Sequence, residues 1–297
     1  MATTLGLRHL IDQSHGPILL PGAPNALTAR VVEQAGFDAV YVSGAGVTNT
    51  YLGMPDLGLM SVTELVGHVG AMAEVVSIPL VVDADTGFGN ALNVQRTVRQ
   101  LERAGAAAIQ LEDQVSPKKC GHFAGKEVVS MQEMVGKVHA AVDARLSEDM
   151  LVIARTDALS TEGLEAACER AAAYSEAGAD ILFVEAPTTT EQMAHIVRTV
   201  PGIHMANMVE GGMTPLTSRA ELGELGFSIA LYANAAMRGA VAGMRQVMDH
   251  LMTHGDTVEA TELMISWADR QGLVRKTEFD ELDQRYAADL SFEGVRS

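Results

Sequence analysis

Cysteine is nearly absent. The 297 residues hold only Cys120 and Cys168, so no disulfide framework is expected and a reducing cytoplasm suits the chain. Positive charge is also scarce: 21 Lys and Arg stand against 38 Asp and Glu, a formal charge of −17. Such a chain repels phosphate backbones and anionic lipid, which sets nucleic-acid and membrane partners aside. No apolar run approaches the roughly 18 residues of a membrane span. The opening MATTLGLRHL lacks the basic and then apolar stretch of a secretory signal. A dinucleotide-binding turn is missing too. Gly44-Ala45-Gly46 is followed by Val47, Thr48 and Asn49, without a third glycine, so an open doubly wound sheet is rejected. His9, His15, His68, His139, His195, His204, His250 and His254 show no ligand spacing and read as surface or core.

What is present is a rhythm. Short apolar runs fall at 17–23, 38–44, 79–85, 107–113, 150–157, 181–186, 204–210 and 228–234. They are almost continuously apolar, as suits strands buried on both faces of a parallel sheet. Helical spacing follows them, as with Val94, Val98 and Leu101 in 91–104, or Leu164, Ala167 and Ala171 in 162–177. Several helices end alike, in EQAGF (33–37), ERAGA (102–106), SEAGA (175–179) and GELGF (223–227). Each glycine offers a left-handed C-cap into the next strand. Eight strand–helix units predict an α/β fold, a (β/α)8 TIM barrel, over residues 1–255. Residues 256–297 read as a helical extension without strands. Its Leu263, Met264, Trp267, Phe279, Leu282 and Tyr286 need cover, from the chain's own barrel or from another subunit.

Polar residues gather at the C-terminal ends of these strands, where barrel enzymes keep their chemistry. Tyr41 and Ser43, Asp83 and Asp85, Glu112 and Asp113, Arg155 and Asp157, Glu185, Asn207 and Glu210, and Tyr232 and Asn234 all stand there. On a strand, Asp83 and Asp85 point the same way. With Glu112 they make a hard oxygen nest suited to Mg²⁺ or Mn²⁺. Taken alone, Asp85 reads as a helix cap; the pair with Glu112 favours the metal. An EF-hand is excluded, since Val94 stands where the terminal Glu belongs. After strand four comes an unusually long loop, 114–129, carrying Lys118-Lys119-Cys120-Gly121-His122. Long loops in compact domains are often lids. Two lysines and a histidine favour a thiolate at Cys120, and a reversible thiol suits a proton donor. Cys168 lies within a helix and reads as packing. Arg155 is either a bidentate clamp for a carboxylate or an ion-pair partner for a neighbouring acid.

VVDADTGFGNALN (81–93), QLEDQVSPKKCGH (110–122), IARTDA (153–158) and NMVEGGMTP (207–215) resemble the signature stretches of the isocitrate lyase/phosphoenolpyruvate mutase superfamily. The similarity spans about residues 17–250 and is nearest to the short-chain 2-methylisocitrate and dimethylmalate lyases and the carboxyphosphoenolpyruvate mutases. The resemblance implies that Asp83 and Asp85 hold Mg²⁺, with Glu112 in the same shell and Asp56 nearby. It implies that Tyr41, Ser43, Gly44 and Ala45 meet the substrate's carboxylate and hydroxyl end. Arg155, Glu185 and Asn207 line the pocket, Thr214 and Pro215 bind substrate, and Lys118, Cys120 and His122 ride a gating loop. The implied reaction is C–C cleavage of a small anionic 2-hydroxy-carboxylate to a 2-keto acid and a carboxylate. Tyr41 or Glu185 would serve as base and Cys120 as acid. The implied assembly is a homotetramer with a C-terminal helix swapped between subunits. One stretch departs from the lyases: Tyr232-Ala233-Asn234-Ala235-Ala236-Met237-Arg238 is nearer to phosphonopyruvate-type members. Phosphonomutase chemistry, or oxaloacetate hydrolysis or decarboxylation, is therefore the alternative.

Overall fold

The computed structural model describes residues 6–119 and 125–289. Two compact units divide the chain, 1–237 and 238–297. All eight expected strands form: β1 (Ile18–Pro21), β2 (Val40–Val42), β3 (Leu80–Asp83), β4 (Ala106–Glu112), β5 (Leu151–Thr156), β6 (Ile181–Val184), β7 (Ile203–Asn207) and β8 (Ile229–Tyr232). All but β4 are shorter than the apolar runs, mostly because the chain turns toward a helix before the run ends. The order is β1-β8-β7-β6-β5-β4-β3-β2, every neighbour parallel. A single bridge, Gly22 to Tyr41, brings β1 back to β2 and nearly closes a (β/α)8 barrel.

In the first unit the helices are α1 (Leu7–Gln13), α2 (Ala26–Gln34), α3 (Gly44–Val47), α4 (Val62–Ala73), α5 (Ala91–Arg103), α6 (Met131–Ala144), α7 (Leu164–Glu176), α8 (Thr190–Thr199) and α9 (Arg219–Leu225). Their starts follow sequence chemistry. Ser61, Asn90 and Ser218 each cap a helix whose third residue reaches back to the cap, closing a capping box. Their ends do too: Gly36, Gly105, Gly178 and Gly226 take positive φ after α2, α5, α7 and α9.

Alternation sorts the core into shells. Val40, Val82, Ile109, Leu111 and Val152 face outward and pack with Leu65, Val98 and Val138 of the helices. Leu20, Ala39, Val81, Ala108, Ile153, Ile181, Phe183, Met205 and Ile229 fill the barrel, with Leu7 and Ile11 of α1 in the same cluster. The last helix to start in the first unit, α10 (Ala235–His254), continues into the second. There it is followed by a 3-10 turn (Val258–Leu263), α11 (Trp267–Leu273) and α12 (Lys276–Asp289). Met244, Met248, Met252, Ile265, Trp267, Phe279 and Tyr286 of this unit are exposed. Among the described residues no helix is long and apolar enough to cross a membrane.

Candidate active site

The same period of two that fills the barrel with aliphatic residues also builds the site. Following the interior face of each strand upward, Ala39 leads to Tyr41, Val81 to Asp83, Ala108 to Gln110 and Glu112, Ile153 to Arg155, Phe183 to Glu185, and Met205 to Asn207. Interior positions are therefore apolar below and polar at the C-terminal end. Tyr41, Ser43, Ala45, Asp56, Asp83, Lys118, Arg155, Glu185, Asn207, Val209, Leu231, Ala233 and Asn234 line a cavity of about 120 Å³. That is well below the few hundred Å³ of drug-sized sites and suits a small acid.

Asp85 does not lie on the strand. β3 ends at Asp83, and Asp85 has φ +48°. Gly87, Phe88 and Gly89 also have positive φ. A non-glycine residue in this region is strained, and such strain collects at functional sites. The two carboxylates still converge, through the turn rather than through strand alternation. A Cβ at Gly44 would lie 3.2 Å from both Asp83 Oδ2 and Asp85 Oδ1. Asp83 is held from three sides: Gly44 N donates to Oδ2 at 3.3 Å, Asp85 N to Oδ1 at 3.2 Å and Gln110 Nε2 to Oδ1 at 3.3 Å.

Lys118 enters this nest. Its ammonium is 2.6 Å from Asp56 Oδ1 and 2.9 Å from Asp85 Oδ1, and the residue is 5% exposed. The sequence placed it on a long loop beside the acids, and the carboxylates draw its ammonium inside. Burial lowers its pKa, but Asp85, Glu112, Asp83 and Asp56 together raise it. Burial pushes Asp85 up to about 7, with Lys118 opposing and Asp83 and Asp56 adding. Burial also raises Glu112 well above the usual carboxylate range, against the pull of Arg155 and Lys118. Lys118 is the one partner of Asp85 Oδ1, and Glu112 Oε1 is buried without a hydrogen-bond partner among the described residues. Among the described residues, no three acid, histidine or cysteine side chains close on one ion by themselves. Hard carboxylate oxygens, one of them without a partner at Glu112, fit a divalent cation that keeps part of its water.

Arg155 takes the second of the two roles the sequence allowed, an ion pair to a neighbouring acid. Its Nε and Nη2 donate to Asp157 Oδ2 and Oδ1 at 2.9 and 3.0 Å, so the bidentate fork is spent on an acid two residues away. Glu112 Oε2 is 3.4 Å from Nε, and Glu185 Oε2 is 3.6 Å from Nη1. The guanidinium lies over the Phe183 ring at 5.2 Å. Asn207 Nδ2 lies 3.4 Å from each Glu185 oxygen. Ala186, next to Glu185, has φ +60°, a second strained position at the rim. Tyr41 donates its hydroxyl to Gln110 Oε1 at 3.0 Å. Burial, aided by Asp83, raises its pKa well above 10. The phenol is therefore held as a donor.

The remaining sequence expectations fall as follows. Ser43 caps α3, accepting from Gly46 N at 3.1 Å, and lies 3.4 Å from Asn234 Oδ1. Gly44, Asp85 and Glu112 stand behind the cavity wall rather than on it. Thr214 is buried but lines a separate small void with Asn207, Phe227 and His204. Pro215 touches neither. Asp113 does not join the inward acids: one residue past Glu112, it takes the opposite face and meets Tyr174 and Arg170 of α7 at 2.8 and 3.3 Å. Cys120 and His122 lie outside the described residues. Cys168 is buried, and burial raises its thiol.

Gln110, Lys126 and Asn234 matter more than the sequence suggested. A glutamine inside the run AAAIQLE, at the parity of Glu112, was the available signal for the first. Lys126 carried none, because nothing local says that a loop lysine will be buried. A roomier groove, about 480 Å³, lies elsewhere, beside the N-terminal strand ends at Pro79, Leu80, Ala106 and Met150. Of its two acids, Glu102 and Asp149, Glu102 is committed to the amides of Leu146 and Ser147 at 2.7 and 2.8 Å.

Residues 7–252 match the family model described as phosphoenolpyruvate phosphomutase. The sequence is 46% identical to 2,3-dimethylmalate lyase of Eubacterium barkeri over 97% of this chain and 99% of that one. It is 43% identical to 2-methylisocitrate lyase of Aeropyrum pernix over 94% of this chain and 89% of that one. Among solved structures, a phosphonopyruvate hydrolase in complex with oxalate and Mg²⁺ overlays with a TM-score of 0.86 at 32% identity, covering 97% of this chain and 100% of the other.

Proposed function

The chain belongs to the phosphoenolpyruvate phosphomutase family, within the superfamily that includes isocitrate lyase, and like its relatives it is a carbon–carbon lyase; from that premise we propose that it cleaves a small 2-hydroxy-carboxylate to a 2-keto acid and a carboxylate. Substrates of the 2-methylisocitrate or 2,3-dimethylmalate kind fit the cavity's size. One arrangement supports the reading above all. Six successive strands end, on their interior face, in Tyr41, Asp83, Glu112, Arg155, Glu185 and Asn207, and all of these but Glu112 line one small space.

The cleavage is a retro-aldol type. It needs a base for the 2-hydroxyl proton, stabilisation of the forming oxyanion, and an acid to protonate the carbanion released with the carboxylate fragment. Glu185 is the base: it is buried and lines the cavity, whereas Tyr41 keeps its proton for Gln110. Arg155 Nη1, Asn207 and Ser43 orient the substrate's carboxylate and hydroxyl end. Asp83 and Asp85, with Glu112 and Asp56, would hold Mg²⁺. Bound there, the cation supplies positive charge where the oxyanion develops. Cys120 is the acid assigned from the sequence. The protein acts as a homotetramer, to which the exposed apolar side chains of the second unit contribute.

A product assay over 2-methylisocitrate, 2,3-dimethylmalate, isocitrate, oxaloacetate and phosphonopyruvate tests this, with and without exhaustive chelation. Keto-acid release from a 2-hydroxy acid, lost on chelation and restored by Mg²⁺, is the expected result. Full activity after chelation removes the metal. The presence of Asn234 on the cavity wall keeps phosphonomutase as a second reading. Cys120→Ser separates the two. A lyase should lose about 10²–10⁴-fold in turnover, the usual range for a general acid. A phosphoryl migration that delivers no proton to carbon should be nearly indifferent.

A further inference from the structure

Arg155 is the only guanidinium on the cavity wall among the described residues, and its edge toward the cavity is set by what holds the opposite edge. Asp157 takes Nε and Nη2 together, which fixes both the plane and the rotation of the group. Nη1 is left on the far side from Asp157, with no hydrogen bond to a protein acceptor among the described residues and Glu185 at 3.6 Å. Asp157 is itself held. Lys126 Nζ donates to its Oδ1 at 2.8 Å, and its backbone N–H donates to Asp113 Oδ1 at 2.9 Å. Asp113 is locked by Thr156 Oγ1 at 2.7 Å and Tyr174 OH at 2.8 Å.

Lys126 does not belong to the barrel strands. It lies on the return limb of the loop after β4 and is 8% exposed. That limb is fastened to the outgoing one: Val115 N donates to Glu127 O at 2.8 Å, and Val129 N to Asp113 O at 2.8 Å. Gln114 grips the outgoing limb further on, accepting from Lys119 N and donating to Lys119 O, both at 2.9 Å. Lys119 Nζ in turn reaches Gly125 O at 2.7 Å. The ammonium of Lys126 is thereby delivered to Asp157 by a braced stem. It shares the oxygen, Oδ1, that also receives Nη2 of Arg155.

We propose that Lys126 is a positioning residue: through Asp157 it holds the Arg155 guanidinium so that Nη1 is presented to the substrate's carboxylate, which makes the base of this loop part of anion recognition. The proposal rests on the assignment of Arg155 to substrate binding made above. Removing the ammonium leaves Asp157 answered by Arg155 with one fewer competing cation. The guanidinium is then drawn toward Asp157 and away from the cavity. A carboxylate ligand loses alignment while the catalytic groups remain. A displacement of this kind, remote from the bond being broken, can cost about a hundredfold.

The test is oxalate binding by calorimetry to the full chain in Mg²⁺ buffer. It uses wild type, Lys126→Met, Lys126→Arg, Arg155→Lys and the Lys126→Met/Arg155→Lys double variant. Expected are a roughly tenfold or greater weakening in Lys126→Met, recovery to within about threefold in Lys126→Arg, and no further loss from Lys126→Met once Arg155 is already Lys. In turnover, Lys126→Met should raise KM more than it lowers kcat. Wild-type affinity in Lys126→Met overturns the proposal, and so do losses that add fully in the double variant. A wild type that takes up no oxalate overturns it as well, because Nη1 is then not an anion donor. Should Lys126→Met fail to fold, Lys126→Gln, which keeps a donor to Asp157 without the charge, carries the same comparisons. The binding cycle needs no turnover. A chain that cleaves none of the 2-hydroxy acids yet shows the non-additive cycle loses the lyase assignment and keeps this one.

Discussion

Gly22→Ala should push the end of β1 away from the end of β8. Gly22 stands just past β1, bridged to Tyr41 of β2 on one side and hydrogen-bonded to Tyr232 of β8 on the other. A methyl at Gly22 would sit 1.8 Å from Ala233 O and 2.5 Å from Ala233 C. Both are backbone atoms, so no side chain can swing aside. The strand ends would have to part by about 1 Å, and overpacking of this kind costs about 1–3 kcal/mol. Two hydrogen bonds hold this corner: Gly22 N to Tyr232 O at 3.0 Å on the β8 side and Ala23 N to Tyr41 O at 2.8 Å on the β2 side. Their loss adds about 1 kcal/mol each. The expected destabilisation is thus about 3–5 kcal/mol, a large share of a typical domain's 5–15 kcal/mol. Gly70→Ala is the control. It lies inside α4 with nothing within 4 Å of a new Cβ, and should gain about 0.5–1 kcal/mol. Urea unfolding followed by circular dichroism measures both. Activity at low temperature should fall in Gly22→Ala even while the fold persists, since Ala233 and Asn234 line the cavity. A Gly22→Ala stability within about 1 kcal/mol of wild type would refute the account of this close approach.

Glu185→Gln should lower turnover by about 10²–10⁴-fold with Mg²⁺ affinity little changed; near-wild-type turnover removes Glu185 as the base. His204 is buried against Phe227 with Nε2 2.6 Å from Val200 O, and burial depresses its pKa despite that carbonyl. The unfolded chain therefore takes up the proton first, so stability is intact above about pH 6.5 and declines below it. In urea melts from pH 8 to pH 5, His204→Leu should lose less stability than wild type, and parallel curves would exclude the histidine. Deleting residues 256–297 should shift the solution mass measured by light scattering and raise binding of an apolar dye; a full-length chain that is monomeric at micromolar concentration would count against an oligomer built on this unit.

The barrel was legible because its signals are local. Eight apolar runs, each followed by helical spacing and a capping glycine, need no knowledge of what lies across the sheet. The site was legible in part for the same reason. Tyr41, Asp83, Glu112, Arg155, Glu185 and Asn207 stand at strand ends, and a strand end in a parallel barrel has one destination. Asp85 was set beside Asp83 by a faulty step, since strand alternation does not bring the two together; a left-handed turn does. Asp113 was grouped with the inward acids although alternation sends it the other way.

The amino-acid order by itself determined which strands form, which face of each is interior, and that this face becomes polar at one end. Only the tertiary structure decided how the charges there are paired. Lys118 and Lys126 look alike in sequence, two loop lysines eight residues apart. One is drawn onto Asp56 and Asp85, the other onto Asp157. Arg155 spends its fork on Asp157 rather than leaving it open to a ligand. The partners of the two lysines come from segments distant along the chain. Which cation a buried carboxylate captures depends on distances of a few ångströms that residue order does not encode, because Coulomb attraction in a poorly solvated site rises steeply as the charges approach.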